Sequence, residues 1–159
     1  MVSPGNPLKP TPPASLSRRI EAARAMIQHP NIIVSDYEAQ IGTRFTAQTL
    51  SHLRADFPDV SFAWLMGADN LAQFHLWDSW HDIMNAVPVG VLARPGARMR
   101  ALYSPAARIY RFAKLPSEQS RLLCDGPTPR WCFVNLPMRG ESSTAIRAAG
   151  EWTTGNGAK

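Results

Sequence analysis

Cysteine is scarce in this chain: Cys124 and Cys132 are the only two in 159 residues, and no Cys-x-x-Cys pair occurs. That excludes a disulfide framework and a thiolate metal knuckle, and it makes a reducing cytoplasm the expected setting. No apolar run approaches the ~18 residues of a membrane span, and the N-terminus is proline-rich rather than signal-like, so a soluble protein with no membrane contact is expected. Seventeen Lys and Arg against twelve Asp and Glu give a net charge of +5, yet they form no basic run. The balance implies an anionic partner, and nucleotide substrates satisfy it as well as nucleic acid does. Histidine is also thin. His75 and His81 miss the i, i+4 spacing of helical metal ligands and have no cysteine pair beside them, so no metal site made of side chains is expected. Gly-x-Ser-x-Gly, Walker and Gly-x-Gly-x-x-Gly patterns are all missing.

What is present is a chain that is 45% hydrophobic and 18% charged, enough for one core and too short for two. One domain over residues 1–150 and a polar tail over 151–159 are expected. Met1 to Ala14 carries five prolines and reads as a loop. Ser15 or Ser17 caps a helix with Leu16, Ile20, Ala23 and Ile27 on one face, stopped by His29-Pro30. Ile32-Ile33-Val34 reads as a short strand. Thr46 reads as the cap of a helix that buries Leu50, Leu53 and Phe57. Val60 to Met66 is apolar on both faces, the pattern of an interior parallel strand.

Phe74, Trp77, Trp80, Ile83 and Val87 recur at helical spacing, with a break near Trp77 and a second cap at Asp78 or Ser79. Val89 to Ala93 and Trp131 to Val134 are further strands. Ser104-Pro105 is a cap-and-first-turn signature, Ser117 opens a short helix, and a final helix holds Ile146 and ends at Gly150. Strands alternating with helices predict an α/β fold with a mainly parallel sheet.

In such a sheet ligands bind at the carboxyl ends of the strands. Gly67-Ala68-Asp69-Asn70 falls there: Gly67 lets a ligand approach the backbone, and Asp69 offers an acceptor to a ribose hydroxyl or an amine, unless Asp69 or Asn70 simply caps the next helix. Trp77 is a stacking platform for a planar ring or, alternatively, a core residue. Ser142-Ser143-Thr144-Ala145-Ile146-Arg147 sets three hydroxyls and a guanidinium at a helix start. That is the chemistry of a phosphate clamp, although a capping serine followed by a solvated Arg uses the same residues.

These segments together resemble the bacterial nicotinate-nucleotide adenylyltransferases. The likeness runs from Met1 to about Gly150, through Val-Ser-Pro-Gly-Asn-Pro-Leu-Lys at 2–9, Gly-Thr-Arg-Phe-Thr-Ala-Gln-Thr-Leu at 42–50, Trp-Leu-Met-Gly-Ala-Asp-Asn-Leu-Ala-Gln-Phe at 64–74, Trp77, Ala-Arg-Pro-Gly at 93–96 and Ser-Ser-Thr-Ala-Ile-Arg at 142–147. It implies a Rossmann-like nucleotidyltransferase fold, with adenylyl transfer from ATP to nicotinate mononucleotide in NAD biosynthesis and Mg²⁺ carried by the phosphates. By the same likeness Ser142, Ser143, Thr144 and Arg147 hold the ATP phosphates, Arg147 neutralises charge during the reaction, and Gly67 and Asp69 lie against the nucleotides. Trp77 then stacks on the nicotinate ring, while the backbone around Thr46 and Asp78 reads its carboxylate. The alternatives are a relative adenylating nicotinamide mononucleotide or phosphopantetheine, and a nucleotide-binding protein without turnover.

The family opens with a strand, a Gly-rich loop bearing His-x-Gly-His, and a helix; none of His29, His52, His75 or His81 sits in such a motif. The expectation is therefore a chain that starts after those elements, is poorly folded or has an open sheet cleft, and turns over negligibly.

Overall fold

Short segments rich in aliphatic and aromatic residues pair into one parallel sheet: β1 (Trp64–Gly67), β2 (Val89–Leu92), β3 (Lys114–Leu115) and β4 (Trp131–Val134), in the order β1-β2-β4-β3. The computed structural model describes residues 1–5, 13–27 and 29–137. Ser142, Ser143, Thr144 and Arg147, the final helix and the tail at 151–159 lie outside the described residues. β2 and β4 are buried along most of their length, as parallel strands must be when helices cover both faces. Val89 and Val91 pack with Trp131, Phe133, Leu71, Phe74 and Ile83 in one continuous core.

The helices are α1 (Leu16–Met26), α2 (Tyr37–Gln40), α3 (Thr46–Asp56), α4 (Ala68–Gln73), α5 (Trp80–Ala86), α6 (Arg98–Leu102) and α7 (Pro105–Ile109), with a single 3-10 turn (Phe74–Leu76) between α4 and α5. The expected break near Trp77 is this turn. It is closed by Ser79 in the left-handed region (φ 49°) just before α5. The Ser104 hydroxyl accepts from the Ala107 N–H at 3.3 Å, and Pro105 fills the first helical position, so α7 starts where its sequence signature placed it. The Tyr37 hydroxyl donates to the Asp56 carboxylate and ties α2 to the end of α3. That bond, together with the carboxylate's charge, pushes the phenol up to about 12.

Packing overrides several local readings. Ile32-Ile33-Val34 forms no strand: Ile32 and Ile33 are exposed, Ile32 N–H closes a turn onto His29 O at 3.1 Å, and the next residue, Ser35, accepts from Val2 N–H at 2.8 Å. An apolar triplet becomes a strand only where a neighbour supplies a ladder. The strand expected from Val60 begins at Trp64, because Val60 N–H closes a turn onto Phe57 O. Leu65 is 62% exposed, so β1 is covered on one face only. Among the described residues no strand pairs with the outer edge of β1. Phe57 lies at the C-cap of α3, past its buried stripe, and is exposed rather than core. Thr46 is the first helical residue, not the cap. Phe45 holds the cap position, and its N–H donates to Thr43 Oγ1 at 3.2 Å. Nor do Asp69 and Asn70 cap α4, whose N-cap is Gly67 without a side-chain bond. β3 was not anticipated; two residues carry no readable period.

Candidate active site

The parallel register places Gly67 beside Leu92 and Leu92 beside Val134, so β1, β2 and β4 end level with one another. Loops leaving that edge therefore share one rim. Asp69, in the first turn of α4, and Arg94, just past β2, meet there with Arg94 Nε 3.7 Å from Asp69 Oδ1. A Cβ built on Gly67 would stand 2.3 Å from Asp69 Oδ1 and 3.0 Å from Arg94 Nε. The missing side chain is what lets this ion pair lie against the strand end. Arg98, on α6, donates to Asn135 Oδ1 and lies over the Phe133 ring at 5.5 Å, adding a second guanidinium at the same edge. Both side chains of the ion pair are more than half exposed, so the pair itself contributes little to stability. Its guanidinium remains available to a phosphate.

Gly67→Ala is accordingly expected to move the melting temperature by less than about 2 °C, since only flexible side-chain ends must give way. A phosphate ligand held at this rim should bind several-fold more weakly. Thermal melts alongside phosphate titrations check both halves.

A cavity of ≈ 390 Å³ opens beside this rim. It is lined by Trp64 of β1, Asn70 of α4, Leu76, Trp77 and Asp78, by Glu38, Arg44, Phe45 and Thr46, and by Ser3 and Gly5 near the N-terminus. Thr46, Trp77 and Asp78, three residues singled out in the sequence, thus share one cavity, whereas Gly67 and Asp69 sit on the neighbouring rim. The loop 42–45 brings Arg44 in by turning on Gly42, whose φ of 69° suits glycine. Arg44 is exposed, with its guanidinium 5.6 Å from the Phe45 ring centre. Trp77 is half-buried and packs edge-on against Phe74 at 5.3 Å, leaving its remaining surface to the cavity. Trp77 is therefore partly core and partly cavity lining.

Four residues here were given no role in the sequence reading, although Trp64 and Arg94 fall within its quoted motifs. Arg94 and Arg98 belong to segments whose charge pattern is unremarkable until the strand ends are aligned. Trp64 reads as plain core, yet it lines the cavity, and its enclosed Nε1 has no partner among the described residues. Glu38 gives no local sign at all, but it is 4% exposed. Cys132 is no nucleophile here. Burial pushes its thiol up, away from the reactive thiolate, and Sγ faces Pro116 O. Among the described residues no three His, Cys, Asp or Glu side chains gather as a metal site.

A parallel α/β sheet with cationic groups at its carboxyl edge and an aromatic-lined cavity beside them is the architecture of a nucleotide-handling protein. Residues 1–149 match the family described as cytidylyltransferase-like, and the chain belongs to that family. Within it, the sequence groups with proteins named probable nicotinate-nucleotide adenylyltransferase. One from Cereibacter sphaeroides (strain ATCC 17023) is 60% identical over 152 residues, 96% of this chain and 80% of the relative. One from Ruegeria sp. (strain TM1040) is 58% identical over 153 residues, 96% of this chain and 81% of the relative. A third, from Caulobacter sp. (strain K31), is 43% identical over 148 residues, covering 92% and 78% of the two chains.

Proposed function

We propose that the chain catalyses adenylyl transfer from ATP to nicotinate mononucleotide, yielding deamido-NAD and pyrophosphate in NAD biosynthesis within the cytoplasm. The observation that carries this reading is the convergence of Thr46, Trp77 and Asp78 with Arg44 on one cavity beside the nucleotide rim. The relatives' names point the same way and do not favour nicotinamide mononucleotide or phosphopantetheine as the acceptor.

In this chemistry the 5′-phosphate of the mononucleotide attacks the α-phosphorus of ATP. A new P–O bond forms to the α-phosphorus while the bond to the β-phosphate oxygen breaks, and pyrophosphate leaves. The attacking phosphate is ionised at neutral pH, so the step asks the protein for alignment and charge neutralisation rather than for a nucleophile or a base. Arg94 and Arg98 supply positive charge at the strand ends. Ser142, Ser143, Thr144 and Arg147 are assigned to the ATP phosphates from their sequence pattern, with Arg147 neutralising charge on the reacting groups. Gly67 and Asp69 are assigned to the bound nucleotides. Mg²⁺ enters as the magnesium complex of ATP, a form that asks for no carboxylate cluster from the protein. Thr46 opens the eleven-residue helix α3, whose first backbone N–H groups face an anion favourably. Those groups and Arg44 are assigned to the nicotinate carboxylate, with Asp78 opposite and Trp77 stacking on the ring.

Pyrophosphate release measured with nicotinate and nicotinamide mononucleotides tests the reading. A clear preference for the acid supports it, and preference for the amide or binding without turnover overturns it. Trp77→Ala is expected to raise the Michaelis constant for the mononucleotide several-fold and leave that for ATP within twofold, since stacking contributes about 0.5–1.5 kcal/mol beyond buried area. Separate saturation curves for the two substrates would expose the opposite case, a large fall in melting temperature with selectivity unchanged.

A further inference from the structure

A carboxylate taken out of water must recover its hydration from donors or a counter-charge. Glu38 does so incompletely. Its Oε1 accepts from Thr49 Oγ1 at 3.2 Å, but that hydroxyl also lies 3.1 Å from Phe45 O, and its one proton serves both acceptors. Among the described residues the enclosed Oε2 has no hydrogen-bond partner and Glu38 has no ion pair. The residue lines the ≈ 390 Å³ cavity together with Trp64 and Trp77. A carboxylate with an unpartnered oxygen and two indoles lining one cavity supply what a flat cation needs, since an indole face is negative and the carboxylate offers the charge.

We propose that Glu38, with the two tryptophans, makes this cavity selective for a positively charged aromatic ring, so that it distinguishes the quaternary pyridinium of a mononucleotide from a neutral ring of the same shape. The inference rests on the mononucleotide reading of the cavity and goes beyond it. Arg44 and the start of α3 face the anionic substituent of the ring, while Glu38 answers its cationic nitrogen. Both charges of a zwitterionic nicotinate head group are thereby met within one cavity.

The test is titration of the full chain, followed by tryptophan fluorescence, with nicotinate mononucleotide and with an isostere that keeps the carboxylate but has an uncharged ring, the 5′-phosphate of a 3-carboxyphenyl C-riboside. The parent should bind the pyridinium form at least about tenfold more tightly. Glu38→Gln keeps the shape and an acceptor for Thr49 but removes the charge. It should bring the two ligands within about twofold of each other by weakening the pyridinium form alone, with a melting temperature equal to or above the parent's. Glu38→Asp keeps the charge and should retain part of the preference, which guards against misreading a Gln variant that folds poorly. Equal weakening of both ligands by Glu38→Gln, or a parent that does not distinguish them, overturns the proposal and leaves the mononucleotide reading intact. A parent that binds neither ligand overturns both.

Discussion

Trp131→Ala is expected to cost about 3–5 kcal/mol of stability, the range for removing a large aromatic side chain from a packed core. The ring is 2% exposed in β4, pairs in register with Val89 on one side and Lys114 on the other, and carries the Lys114 ammonium 5.5 Å from its centre. Its Nε1 donates to Tyr110 O at 2.8 Å, so the substitution also strands a carbonyl that the indole satisfied, adding on the order of 1 kcal/mol. A domain of this size has only about 5–15 kcal/mol in hand. At roughly 2–4 °C per kcal/mol, the melting temperature should fall by about 10 °C or more. Trp131→Phe keeps most of the buried area and loses the hydrogen bond, and should fall between the two. A melt of the Ala variant within about 3 °C of the parent would show that the sheet does not close on this residue as described.

The largest expected effect on catalysis belongs to Arg147→Ala. The hydroxyl-rich start of its segment and a guanidinium three residues after Thr144 provide donors for a phosphate, and charge-assisted bonds of this kind strengthen as charge builds in the transition state. Losing one such donor at a reacting group typically costs about 10²–10³ in rate. An arginine assigned to substrate rather than to the fold should contribute little to stability, so the melting temperature should stay within about 2 °C. Pyrophosphate release at saturating substrate, set beside thermal melts, separates the two effects. Activity within twofold of the parent would sink the clamp, and a rate loss matched by a large loss of stability would assign Arg147 to the fold instead.

The elements that sequence predicted best are those whose cause is local. Trp131–Val134 and Val89–Leu92 are apolar on both faces and bounded by prolines or polar residues, and they emerged as the buried strands β4 and β2. Ser104-Pro105 carries its own hydrogen-bond acceptor and its own fixed φ, and it caps α7 as expected. The parallel α/β class followed from the alternation of such segments. Thr46, Trp77 and Asp78, given roles through the family resemblance, line one cavity.

Where the cause lay in a partner, local chemistry was silent. Ile32-Ile33-Val34 has strand composition but no neighbouring ladder, so its apolar side chains stay largely exposed. Trp64 and Leu65 are adjacent in one strand, yet one lines a cavity and the other faces out, because the period of two sends them to opposite faces and only one face is covered. Arg94 and Asp69 are far apart in sequence and meet because the register levels two strand ends. Glu38 shows the division most sharply. Nothing in Asp36-Tyr37-Glu38-Ala39 distinguishes it from a solvated acid, since the free energy of a carboxylate depends on what surrounds it rather than on what flanks it in the chain. Helix, strand and cap preferences arise from the chain's own covalent geometry and are written along it; burial, register and unmet hydrogen bonds arise between segments, and they came into being only when α2, α3 and β1 closed around one cavity.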